Sequence, residues 1–118
     1  MLLTLIALAL AEDAREPVTI PVAEAEAEIE RRAPELGSWL LEHPGVLLEV
    51  QVHTDTSGSS AYNQRASAER ALALKNQLID AGVSPSLVVA RGRGESEPLT
   101  EDGLDPANRR VVLVFRPE

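Results

Sequence analysis

The chain of 118 residues contains no cysteine. Disulfides, thiolate zinc sites and a lipid-modified N-terminal cysteine are therefore excluded, and the redox compartment stays open. Aromatic residues are almost as scarce, with one Trp, one Tyr and one Phe, so a core has to be built from Leu, Val, Ile and Ala. Only two histidines occur, His43 and His53; no metal site is expected from so few ligands, and no motif asks for a cofactor. Basic residues are in deficit, 11 Lys and Arg against 19 Asp and Glu, for a formal net charge of -8. With no basic stripe interleaved with aromatics to offset that charge, nucleic acid is excluded as a partner.

Long hydrophobic runs are missing too. The longest, Leu2 to Ala11, would cross only about half a bilayer as a helix. It ends in Ala9-Leu10-Ala11 directly before Glu12-Asp13, the apolar region and small-x-small cleavage pattern of a secretory signal, although no basic residues precede it. The pattern predicts export with cleavage after Ala11, leaving residues 12–118 as the domain. A buried terminal helix or strand is the other reading of the run. The length suits one domain with one modest core.

What is present reads as alternating strands and helices. Pro17-Val18-Thr19-Ile20 has the β-branched content of a short edge strand bounded by prolines. Val22, Ala25, Ile29, Ala33, Leu36 and Leu40 recur at spacings of three and four among Glu and Arg, predicting an amphipathic helix with a kink or break near Pro34. Val46 to Val52 alternates as a strand, with Leu48, Val50 and Val52 on one face and Leu47, Glu49 and Gln51 on the other. Thr54 to Ser60 is loop-forming, and a second helix is expected from a serine cap near Ser60 to a left-handed stop at Ala81-Gly82. Leu87 to Arg91 and Val111 to Phe115 are the last strands, the latter apolar on both faces and so central, with an acidic loop over Gly92 to Ala107 between them. The implied fold is α+β: a two-layer βαβαββ sandwich, with a mixed four-stranded sheet and both helices on one face.

The second helix carries the strongest chemical signal. Asn63, Ser67, Arg70, Leu74 and Leu78 share one stripe, polar at its start and apolar at its end, which predicts that the start lies at the rim of the core and opens into a pocket. Asp55 sits on the loop leading into that helix. Asp55 and Arg70 can therefore pair with each other as a structural ion pair, or hold between them a ligand bearing an ammonium and a carboxylate on one carbon. Gly92-Arg93-Gly94 reads more readily as a turn than as a phosphate loop, and the acidic run from Glu95 to Asp105 as a solvated loop.

His53-Thr54-Asp55-Thr56-Ser57-Gly58, Tyr62-Asn63-Gln64 with Ser67 and Arg70-Ala71, Gly92-Arg93-Gly94-Glu95-Ser96-Glu97-Pro98, and Asn108-Arg109-Arg110-Val111 occur in that order. Together they resemble the C-terminal domain of outer-membrane protein A, a module shared with peptidoglycan-associated lipoproteins and flagellar stator proteins. The resemblance covers Val46 to Phe115 well and Val18 to His43 weakly. It implies that Asp55 and Arg70 grip the diaminopimelate of a peptidoglycan stem peptide, with Thr54, Asn63 and Arg109 beside or behind them. It further implies a non-enzymatic tether of the cell envelope to the wall, in the periplasm or at the outer membrane, with peptidoglycan and an envelope protein as partners. Asn63 also reads as a loop-organising amide, and Arg109 as a structural residue opening a buried strand. Val52 and Ala66 depart from the family pattern, which usually has Gly and Leu there, and the first strand lacks the usual Phe and acidic positions.

Two readings of other classes remain. His53 and Asp55 with Ser57, Ser59, Ser60 and Ser67 sketch a hydrolase site, unsupported by any nucleophile-elbow or metal-ligand motif. A degenerate module would keep the fold and bind a protein instead.

Overall fold

The computed structural model describes residues 15–118; the expected cleavage pattern at Ala9 to Ala11 lies outside the described residues. Strand β1 (Val18–Pro21) leads through a 3-10 turn (Val22–Glu24) into helix α1 (Ala25–Glu42). Then come β2 (Val46–His53), α2 (Ser60–Asp80), β3 (Val88–Gly94) and β4 (Arg110–Pro117), with short 3-10 turns at Pro85–Leu87 and Pro106–Asn108.

Across the sheet the order is β1-β4-β2-β3. β2 and β3 are parallel, as a helical crossover requires, whereas β4 runs antiparallel to both β1 and β2. β4 is thus central, which accounts for its apolar residues on both faces, and β1 is the expected edge strand. Val46, Leu48, Val50 and Val52 of β2 and Val111, Leu113 and Phe115 of β4 meet one stripe from each helix: Ala25, Ile29, Ala33, Leu36 and Leu40 of α1, and Ala71, Leu74 and Leu78 of α2.

α1 runs through Pro34 without a break. Pro34 is on the exposed side of the helix, so the Glu30 carbonyl that loses its N–H partner there can be satisfied by water. The stop of α2 is as expected. Gly82, at φ +103°, reverses the chain, the N–H groups of Gly82 and Val83 return to Ile79 and Leu78 at 2.9 and 3.0 Å, and Val83 is buried behind them. The cap at the other end is Ser59, whose hydroxyl accepts from the Tyr62 N–H at 3.1 Å, one residue earlier than expected.

The glycines at 92 and 94 form neither a turn nor a loop. They lie in the last residues of strand β3, and α2 lies directly on them. A Cβ on Gly92 would come within 2.3 Å of the Ala68 backbone nitrogen, and the Gly94 N–H donates to the Ser67 hydroxyl at 2.9 Å. Bare backbone at this point lets the helix approach the sheet more closely than any side chain permits. Gly92→Ala is expected to cost about 2 kcal/mol or more, since helix backbone rather than a side chain would have to move. Urea unfolding measures it, and a loss below about 0.5 kcal/mol, the range of neutral surface changes, would contradict the close approach.

Candidate functional site: a cleft between the end of β2, the start of α2 and the start of β4

β2 ends at His53, and the chain must turn there to reach α2. Asp55 organises the turn: its Oδ1 accepts from the Ser57 N–H at 3.0 Å and from the Ser57 hydroxyl, an Asx turn closed at both ends. Asn63, buried in the first turn of α2, donates from its amide to the carbonyls of Ser57 at 2.8 Å and Asp55 at 3.3 Å, and to Glu95 at 3.2 Å. Of the two roles read for Asn63, the structure displays the loop-organising one.

The second oxygen of Asp55 accepts from Arg109 Nη1 at 2.6 Å. Asp55 and Arg70 therefore do not form the expected structural pair. Arg70 instead donates to the Val22 carbonyl at 3.3 Å and stands 3.8 Å from Glu26, with 42% of its side chain exposed. Ala71, not Arg70, continues the buried stripe of α2, and this rotation carries the guanidinium to the rim. Two of the N–H groups at the start of α2, those of Tyr62 and Asn63, are already bonded to Ser59, so they offer nothing to an anion.

Between these parts lies a cleft of about 140 Å³ lined by Val22, Val52, His53, Thr54, Ala66, Ser67, Arg70 and Arg109. That volume suits the end of one side chain rather than a whole drug-sized molecule. Thr54, Arg70 and Arg109 are brought together on its walls. Asp55 is not on the wall but behind it, bonded to Arg109, and Asn63 lies beneath the loop. Ser57 and Asn108 stand in the motifs quoted above, but the sequence reading gave neither the role it has here. Asn108 Oδ1 accepts from the N–H groups of Leu99 and Thr100, and its amide donates to the Asp102 carbonyl. It thereby folds the acidic loop back against the start of β4. The spacing Asp-x-Ser at 55 to 57 was the available signal for Ser57; nothing local marks Asn108.

Asp55 has its pKa lowered to about 2, chiefly by the Ser57 hydroxyl and then by Arg109, and so stays ionised. Its three bonds leave about one lone-pair site of the four on a carboxylate free for a further donor. His53 is 3% exposed. Burial first, and the Arg110 guanidinium second, lower its pKa to about 4, with Glu97 opposing. Its Nε2 lies 3.2 Å from the Gln51 side-chain oxygen and Nδ1 has no partner among the described residues. Ser57 is bonded to Asp55, Ser59 caps α2 and Ser67 donates to the Gln64 carbonyl. None of these three hydroxyls is bonded to His53, so they lend the hydrolase sketch no support.

A sheet backed by two helices, with a small cleft of arginines at one pole and a carboxylate behind them, defines a two-layer domain of the α+β kind. A model of the OmpA family matches residues 19–111; the chain belongs to that family. Outer membrane porin F of Pseudomonas fluorescens is 39% identical over 79 residues, 64% of this chain and 24% of that protein. Outer membrane protein A of Shimwellia blattae is 39% identical over 52% of this chain and 26% of its own length. The chain thus spans about a quarter of the curated relatives it matches. Among solved structures, the peptidoglycan-associated lipoprotein from Burkholderia pseudomallei superposes with a TM-score of 0.63 at 27% identity, over 79% of this chain and 78% of that one. The periplasmic domain of Helicobacter pylori MotB reaches 0.70 at 22% identity, over 86% and 82%, a likeness of fold alone.

The pH response of the fold follows from the two shifted groups. His53 binds a proton more weakly in the folded state than its ordinary 6.5, so the unfolded state gains protons first as pH falls. Stability then drops across about pH 6.5 to 4, by at most about 3 kcal/mol from this residue. Asp55, ordinarily at 3.8 and held near 2, contributes stability above pH 3.8 that disappears as pH falls through 2. Urea unfolding at pH 7 and pH 4.5 should show the first loss in the wild type and a flatter profile in His53→Gln. An equal pH slope in both proteins would sink the assignment.

Proposed function

We propose that this domain binds peptidoglycan non-covalently through the diaminopimelate of the stem peptide, and so tethers part of the cell envelope to the wall from the periplasmic side. The observation that carries the reading is the cleft itself. Two guanidiniums, Arg70 and Arg109, line it, with one ionised carboxylate, Asp55, bonded to the second of them. A zwitterionic amino-acid head fits that charge pattern: its carboxylate meets the planar fork of Arg70 and its ammonium shares Asp55 with Arg109. Thr54 stands on the wall between them. The apolar part of the lining, Val22, Val52 and Ala66, suits the methylenes that connect such a head to its peptide. Family membership supports the reading, because one structural relative is by name a peptidoglycan-associated lipoprotein and two others are outer-membrane proteins. The buried, neutral His53 supports binding without hydrolysis.

In this reading Asp55 works in part by aiming Arg109, so its charge matters more than its bulk. Asp55→Asn and Arg70→Lys should each weaken binding to purified sacculi on the order of thirtyfold, the loss of one charge-assisted contact in a partly enclosed site. Amidating the diaminopimelate carboxylate should weaken the wild type while changing Arg70→Lys little, since the two changes remove the same contact. Folded variants that pellet with sacculi as the wild type does would refute the reading and leave a protein-binding module in its place.

A further inference from the structure

The acidic loop between β3 and β4 is tied to the turn that holds Asp55. The Thr56 N–H, next to Asp55, donates to the Gly103 carbonyl at 2.8 Å. The approach is so close that a Cβ on Gly103 would come within 2.6 Å of the Thr56 hydroxyl oxygen. Glycine is therefore the residue that this tie admits without displacing Thr56. It follows an aspartate, and Asp102-Gly103 is the one Asp-Gly pair in the chain.

Glycine after aspartate has a chemical consequence as well as a steric one. With no side chain on the following residue, its peptide nitrogen can reach the aspartate carboxyl carbon and close a five-membered imide. The surroundings of this pair favour that attack. The Leu104 N–H donates to Asp102 Oδ1 at 3.0 Å, an Asx turn that folds the carboxyl forward over the Gly103 peptide and polarises its carbon. The Asp102 carbonyl accepts from the Asp105 N–H at 3.0 Å and from the Asn108 amide at 2.9 Å. Both bonds draw electrons from the peptide and make the Gly103 N–H more acidic. Among the described residues nothing accepts from that N–H, and Asp102 is exposed, so water reaches the pair.

We propose that Asp102 is a site of spontaneous modification, at which the chain isomerises to isoaspartate and releases the acidic loop from the Asp55 turn. The Gly103 nitrogen forms a bond to Asp102 Cγ and gives up its proton. The protonated carboxyl releases its hydroxyl, which takes that proton and departs as water. Water then adds back to the imide. Opening of the bond at Cγ restores aspartate; opening of the bond at the main-chain carbonyl carbon leaves the chain running through Cβ and Cγ, with that carbonyl now a pendant carboxylate. The composition is unchanged, and water is the only co-reactant.

The product cannot keep the bonds of the loop in place. An extra main-chain carbon stands between Asp102 and Gly103, and the group that accepted from Asp105 and Asn108 hangs off the chain. The Asn108 amide loses its acceptor, and the Gly103 carbonyl moves out of register with the Thr56 N–H. Asn108 precedes Arg109 and Thr56 follows Asp55, so the ion pair behind the cleft loses a fixed neighbour on each side. The consequence for function, a weaker hold on the wall, rests on the proposed function; the isomerisation itself does not.

Ageing the full chain in neutral buffer, beside a free peptide of residues 99–105, tests it. The wild type should build up an isomer of unchanged mass, methylated by an isoaspartyl methyltransferase and mapped to Asp102 by electron-transfer fragmentation. Its rate should be no less than about a tenth of the peptide's. Asp102→Asn, which loses ammonia in place of water, should reach the same product at least about tenfold faster. Asp102→Glu, whose ring would need six members, should yield none. In the purified isomer the Thr56 N–H should exchange with solvent at least about tenfold faster than in the fresh protein, and the isomer should pellet less with sacculi. A native chain that stays unconverted while the peptide isomerises overturns the proposal, as does an isomer mapped to another aspartate. Unchanged Thr56 exchange in the isomer overturns the release of the loop. Fresh protein that fails to pellet with sacculi counts against the proposed function instead, and the mapped isomer with its Thr56 exchange still decides this proposal.

Discussion

The carboxylate of Asp55 ties together three stretches of chain that no local rule would join. Its backbone follows β2, its Oδ1 closes the turn toward α2 through Ser57, and its Oδ2 holds Arg109 at the start of β4. All of the cleft lining except Val22 belongs to or follows one of those stretches. Because the group sits 6% exposed and ionised, removing any of its partners would leave a charge poorly solvated. The turn, the helix start and the arginine are held as a unit for that reason, and the guanidinium of Arg109 has its position fixed by its counter-ion.

Arg70 is prepared differently. It reaches across to the Val22 carbonyl, which belongs to the turn after β1, and so it also joins α2 to the first strand. Among the described residues one weak bond and a distant Glu26 restrain it, and most donors of its fork have no partner there. The cleft thus combines one fixed cation, bound to its counter-ion, with one that can reorient. Val52 and Ala66, both departures from the usual family residues, line this same cleft.

Much of this was legible before the structure. The three-and-four spacing from Val22 to Leu40, the alternation in Val46 to Val52 and the Ala81-Gly82 stop depend on neighbours within a few residues, and they read directly as α1, β2 and the end of α2. The doubly apolar Val111 to Phe115 announced a central strand. What did not read was set by distant partners. Arg109 and Asp55 lie 54 positions apart, and nothing in Asp55's own neighbourhood prefers Arg109 over Arg70. Glu49 was read only as one residue on the second face of an alternating strand, and Arg93 and Arg116 meet it there only after three strands have aligned. Gly92-Arg93-Gly94 looked like a turn because glycine usually marks one; here α2 needed the room. Pro34 was read as an interruption because its cost was known from sequence while its exposure was not.

The opposite pole of the domain completes the geometry. Pairing of β1 with β4 sets Pro21 beside Arg110 and Val18 beside Leu113, so β1 enters the sheet from the end away from the cleft. There Arg15 lies over the rings of Trp39 and Phe115 at 5.1 and 4.7 Å and is bonded in two places to Glu35. Two of the three aromatic residues in the chain are spent on this clasp. It fixes the chain ahead of β1 at one end of the strands, with the arginine cleft at the other. A pull applied between the two ends runs along β1 and β4 and loads their hydrogen bonds together in shear, rather than opening them one after another.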